Sequence, residues 1–116
     1  MLEVGDKPQR PLLGVTIIDV RDYYKNIEYY QFYYPEMIGI PLNLEYGFFI
    51  STVTEGGVAD MAHALPGDII LEFNGVKTKY SYMLRAELGK FIIGSGQTAS
   101  LKVLRDGKEL TLSVTF

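Results

Sequence analysis

The chain has 116 residues, 47% of them hydrophobic and 22% charged, enough for one domain with its own core and unlike a disordered tail. It has no cysteine and a single histidine, His63, which excludes a disulfide scaffold, a thiol nucleophile and a cysteine- or multi-histidine-ligated metal centre; no metal or cofactor is expected. The formal net charge is −3, with both signs scattered and no basic run among the aromatics, so nucleic acid is not expected as a partner.

Pro8 and Pro11 bracket Arg10 and hold the first residues extended. The opening Met1–Asp6 lacks the basic and apolar regions of a signal peptide. Apolar runs such as Phe48–Ile50 and Ile69–Leu71 fall far short of the ~20 residues of a membrane span, so no membrane contact is expected of this segment. A first strand is predicted over Leu13–Val20, where β-branched residues concentrate.

Nine tyrosines and no tryptophan are the oddest feature of the composition, and six of the nine lie between Tyr23 and Tyr34. Tyr23, Ile27, Tyr30 and Tyr34 are spaced as one stripe of a helix that Pro35 would end. Tyr29 and Tyr33 lie off that stripe, so one buried face cannot absorb all six rings. Residues 21–35 therefore read as a helical segment packed on its own domain, or as a protein-contact surface built from Tyr29, Tyr30 and Tyr33.

A second strand is predicted over 47–54, closed by Gly56-Gly57, and then a short helix around Val58–Ala62. A Pro66-Gly67 turn leads to a strand over Asp68–Phe73, ended by Asn74-Gly75. Residues 79–89 read as a helix with Leu84 and Leu88 on one face and Gly89 as C-cap. Ala99, Leu101 and Val103 alternate with polar residues, as do Leu110, Leu112, Val114 and Phe116. The Asp106-Gly107 pair between these runs is a strong hairpin signal. Five or six short strands with two short helices give an α+β, mainly β domain: a partly open barrel capped by helices.

Isolated features that invite a catalytic reading have plainer ones. His63 is a solitary histidine in a helix-end loop. Asp68 and Glu72 share a strand face, as the wet side of a sheet often does, or Asp68 is a turn cap. Gly94-Ser95-Gly96 opens no helix and is a turn.

Four blocks, in order, make the chain resemble the PDZ domain that follows the protease domain in bacterial trypsin-like serine proteases of the HtrA (Deg) family. They are Arg10-Pro11-Leu12-Leu13-Gly14-Val15; Met37-Ile38-Gly39-Ile40-Pro41 with Gly47-Phe48-Phe49-Ile50; Ala59 through Pro66-Gly67-Asp68 to Asn74-Gly75; and Leu84-Arg85-Ala86-Glu87-Leu88-Gly89 with Leu104-Arg105-Asp106-Gly107-Lys108. The resemblance implies a PDZ domain over 10–116 in the circularly permuted bacterial topology, with residues 1–9 a linker from an upstream domain and 21–35 an insertion between the first two strands.

It also implies a site. Leu12, Leu13, Gly14 and Val15 would form a carboxylate-binding loop, with Arg10 adding charge beside it. A terminal carboxylate needs convergent donors, which successive backbone amides in a tight turn supply, here those of Leu13, Gly14 and Val15. Thr16, Ile17 and Ile18 would offer a strand edge to the peptide, and Ser81, Leu84 and Leu88 would line the groove from the helix. The implied partners are hydrophobic C-termini or extended segments of unfolded proteins, and the parent's own protease domain. By the same resemblance the parent would be extracytoplasmic, in the periplasm or at the cell surface, and trimeric or larger, while the isolated domain would be a non-catalytic monomer. The alternative is a stand-alone domain, or one from another protease, whose tyrosine insertion mediates assembly.

Two departures stand out. His63 replaces a helix-ending glycine and Ala64 a core leucine, and the groove helix could start at Thr78 or Ser81.

Overall fold

The computed structural model describes residues 13–92 and 94–116. Six antiparallel strands form one sheet: β1 (Val15–Asp19), β2 (Phe48–Val53), β3 (Ile69–Phe73), β4 (Val76–Lys77), β5 (Thr98–Arg105) and β6 (Lys108–Thr115). Their order is β1-β2-β3-β5-β6, with β4 paired to β3. Two of the turns follow directly from local chemistry. Asn74-Gly75 and Asp106-Gly107 each join paired strands through two residues with positive φ, the turn whose twist matches that of the strands it connects.

The strands alternate faces, and the two faces carry different cores. Phe48 and Ile50 of β2, with Ile70, Phe73, Leu101, Val103 and Val114, build the main core. Phe49 and Ile69 point the other way, into a second cluster with Val20, Tyr23, Met37 and Ile40. The main core is closed by α3 (Val58–Met61) and α4 (Ser81–Leu88), and the second by the tyrosine-rich segment.

That segment differs in form from the single helix its spacing predicts. It is two helices, α1 (Val20–Lys25) and α2 (Ile27–Tyr33), followed by a 3-10 turn over Pro35–Gly39. The break falls at Asn26, whose φ and ψ of −139° and 50° are not helical, while its N–H still closes onto the Tyr23 carbonyl. The predicted stripe nevertheless survives the break. Tyr23 is fully buried, and Ile27, Tyr30 and Tyr34 pack half-buried beside it. The Gln31 amide donates to the Tyr23 hydroxyl at 2.9 Å, and the Tyr24 hydroxyl ties down the following loop by donating to the Pro41 carbonyl and accepting from the Leu44 N–H. Tyr29 and Tyr33, off the stripe, are 56% and 60% exposed. Among the described residues no helix is long and apolar enough to cross a membrane.

The remaining boundaries follow the pattern to within a residue or two. The first strand stops at Asp19 because that side chain accepts from the Arg21 N–H and so starts α1 one residue later. The groove helix starts at Ser81, with Tyr80 in the cap position and no side-chain cap. Thr78 instead lies buried, its hydroxyl donating to the Leu71 carbonyl at 2.9 Å. Gly89 is the C-cap residue, but with φ of −64° it stays right-handed.

Candidate peptide-binding groove

The loop before β1 is pinned to the domain by its carbonyls. The Leu13 carbonyl accepts from Ala59 N–H at 2.8 Å, and the Gly14 carbonyl accepts from Thr54 N–H at 2.8 Å. In a planar trans peptide the C=O and the following N–H point in opposite directions. Two carbonyls drawn inward therefore turn the amides of Gly14 and Val15 outward. Gly14 has φ of +76°, a conformation that strains any residue bearing a Cβ.

Beyond the loop, β1 pairs only with β2 among the described residues, so its second edge carries no strand. Thr54 donates to Gly14 at one end of this pairing and Val20 donates to Gly47 at the other. Strand alternation between these points, across an extra residue (Ser51) in β2, aims the backbone groups of Val15, Ile17 and Asp19 at the open edge. The side chains of Val15 and Ile17 pack half-buried on the main core, in the cluster that holds Leu13, Leu84 and Leu88. Strand and helix thus share an apolar floor.

The described residues among those singled out in the sequence sort by face. Leu13, Leu84 and Leu88 are buried in that floor; Val15 and Ile17 border it; Ser81, half-buried, opens α4. Thr16 is exposed, and Ile18 packs on the opposite face, against the tyrosine-rich segment. Arg10 and Leu12 lie outside the described residues. Tyr29 and Tyr33 are exposed and in mutual contact, with ring centroids 4.8 Å apart, whereas Tyr30 is half-buried against Tyr23.

His63 and Glu72 take their plainer readings, whereas Asp68 is a buried turn cap, its carboxylate accepting from the Leu65 N–H, and not part of a wet sheet face. His63 sits exposed at φ of +70°, and its carbonyl accepts from Arg105. Asp68 is buried and paired with Arg105, and Glu72 is paired with Lys102 across the strand.

One contact at this site has no trace in the local sequence. Arg21, two residues past the end of β1, reaches over the Tyr80 ring with its guanidinium carbon 4.5 Å from the centroid, and donates to the Lys79 carbonyl. Asp19 braces it with two hydrogen bonds, at 3.2 and 3.0 Å. These bonds, the largest cause, and the neighbouring Tyr80 raise the guanidinium's pKa above its ordinary value, against a smaller opposing effect of burial. The partners are 58 residues apart, so no spacing rule reveals them.

An antiparallel sheet with an unpaired edge strand, a helix that buries Leu84 and Leu88 in the same core and outward-facing amides at the strand's start defines a strand–helix groove domain. Residues 11–116 match the PDZ domain family, and the chain belongs to it. Its relatives include a probable periplasmic serine endoprotease DegP-like of Marinomonas sp. (strain MWYL1), 36% identical over 115 residues, 99% of this chain and 22% of the relative. A serine protease Do-like HtrA of Bacillus subtilis (strain 168) is 32% identical over 106 residues, 91% of this chain and 22% of its own length. The chain thus spans less than a quarter of these relatives. Among solved structures, HtrA-type protease AlgW with decapeptide superimposes with a TM-score of 0.68 at 24% identity, over 91% of this chain and 28% of that one, which shows a shared fold. The partly open β-domain read from the sequence is the PDZ fold of HtrA-type proteins.

Proposed function

We propose that this chain is the non-catalytic peptide-binding module of a longer, extracytoplasmic HtrA-like serine protease. It holds hydrophobic C-termini of unfolded proteins by strand addition to β1 and so feeds or regulates a protease domain upstream of a linker at residues 1–9. The observation that carries this reading is the pair of outward amides, Gly14 and Val15, at the head of an unpaired strand edge. Those donors suit a terminal carboxylate, the edge suits an extended backbone, and the apolar floor of Leu13, Leu84 and Leu88 suits a hydrophobic last residue. The protease activity in these relatives' names, and the periplasmic location in the DegP-like one, support the wider setting.

The test is a titration with short peptides ending in Val, Leu or Phe, as free acids and as C-terminal amides, following backbone amide shifts. Free acids should move Gly14 and Val15 and bind at least tenfold more tightly than amides. Equal binding of the two, or silence at Gly14 and Val15, overturns the carboxylate assignment.

A second reading rests on α2. Phe32 is 76% exposed and stacks edge-on against Tyr33, which contacts Tyr29. Such a contiguous aromatic surface suits contact between copies of the chain. Light scattering on the wild type and on Tyr29→Ser/Tyr33→Ser decides it; a monomer in both removes the assembly role.

A further inference from the structure

The Arg21–Tyr80 contact joins the two walls of the groove at one end. Arg21 follows the last residues of the strand wall, and Lys79 and Tyr80 immediately precede the helix wall. The contact lies at the surface and not in the floor: the Arg21 side chain is 31% exposed and Tyr80 is 48% exposed. The other end of the same strand carries the Gly14 and Val15 amides. We propose that Arg21 and Tyr80 act as a stop that closes the far end of the groove, restricting it to about the last four residues of a C-terminus. This rests on reading the groove as a peptide site.

The length follows from strand geometry. From Val15 to Asp19 the edge advances four residues, about 13 Å at ~3.3 Å per residue. A peptide anchored by its carboxylate at Gly14 can form a ladder opposite Val15 and Ile17. Opposite Asp19 it meets the Arg21 side chain, held in place by its bonds to Asp19 and by the Tyr80 ring. A longer ligand must leave the strand edge there. An internal segment, which has to enter and leave through both ends, is obstructed at the stop and has no carboxylate for the loop. The stop therefore selects chain ends over extended segments, the two ligand types that the sequence alone leaves open.

The charge pattern favours a stop held by the domain itself over a site for an acidic ligand side chain. Asp19 already occupies the Arg21 fork through both of its oxygens, and Asp22 lies next to it in the same surface hollow.

The experiment compares four- and eight-residue free-acid peptides sharing the same last four residues. Each is titrated into the wild type, Arg21→Ala and Tyr80→Ala. In the wild type the eight-residue peptide should bind within twofold of the four-residue one. Removing either half of the stop should tighten the eight-residue peptide about tenfold, the worth of one or two net backbone hydrogen bonds, and leave the four-residue peptide unchanged. Tyr80→Ala opens the stop without touching the Asp19 cap of α1, so it stands in if Arg21→Ala unfolds. Affinity that rises with length in the wild type, or the same length dependence in all three proteins, overturns the stop and leaves the groove intact. Failure of every peptide to bind any of the three overturns the groove reading and the stop with it.

Discussion

Gly14 and Gly57 meet backbone to backbone: a methyl group on Gly14 would stand 3.4 Å from the Gly57 Cα and 3.6 Å from the Thr54 Cβ. One on Gly57 would stand 3.1 Å from the Thr54 carbonyl. This close approach lets Thr54 and Ala59 take the two loop carbonyls, and it is what faces the Gly14 and Val15 amides outward.

Gly14→Ala should cost about 1–2 kcal/mol of stability from the left-handed backbone, since the added methyl meets its neighbours at ordinary van der Waals distances. Because a Cβ disfavours the φ of +76° that aims the amides outward, affinity for free-acid peptides should fall at least fivefold. Denaturant unfolding and peptide titration of the same sample check both. Unchanged affinity with lowered stability would separate the loop from binding.

The Asp68 carboxylate is buried and receives Arg105 through both oxygens, at 2.8 and 2.6 Å, while also accepting from the Leu65 N–H. Arg105→Ala leaves that carboxylate without its cation and should cost about 3 kcal/mol. Asp68→Asn/Arg105→Leu, which removes both charges, should recover part of the loss. A double-mutant cycle by denaturant unfolding measures the coupling.

His63 holds φ of +70° where its side chain is exposed. His63→Gly relieves that strain and should stabilise the domain by about 0.5–1 kcal/mol after the added freedom of the unfolded chain is set against it. A thermal melt should show a rise of a few degrees; a fall would mean that the imidazole makes a contact of its own.

The hydroxyls of Tyr24 and Tyr30 have raised pKa values, chiefly because burial disfavours their phenolates; the Leu44 N–H partly offsets this for Tyr24, and Asp22 adds to it for Tyr30. A group whose folded pKa exceeds its unfolded value gives stability that is whole below the unfolded pKa, near 10 for tyrosine, and is lost as pH rises through the folded one. Melting temperature should thus decline above pH 10 as phenolate absorbance grows. Tyr30→Phe should flatten the decline and leave the neutral-pH melt nearly unchanged.

Elements carried by short-range patterns are legible in the amino-acid sequence. The two Asn-Gly and Asp-Gly turns, the alternating β5 and β6, and the Leu84–Leu88 face of α4 each depend on neighbours within four residues. Even the tyrosine stripe identifies its buried members correctly across a broken helix, because burial follows the face of the chain and not the continuity of its hydrogen bonds. The break at Asn26 and the start of α1 at Val20 are not legible in this way. They turn on one backbone conformation and one carboxylate reaching two residues ahead.

By itself, then, the sequence determined the class of domain, the order along the chain of every strand but the two-residue β4, and the glycine on which the loop turns, all of which follow from periodicity, turn chemistry and motif blocks. Only the tertiary structure decided that Ile18 faces the tyrosine-rich segment and Ile17 the main core, that Asp68 answers Arg105, and that Arg21 crosses to Tyr80. Each of these pairs residues far apart in the chain, and such contacts exist only once the sheet has brought its edges and faces together.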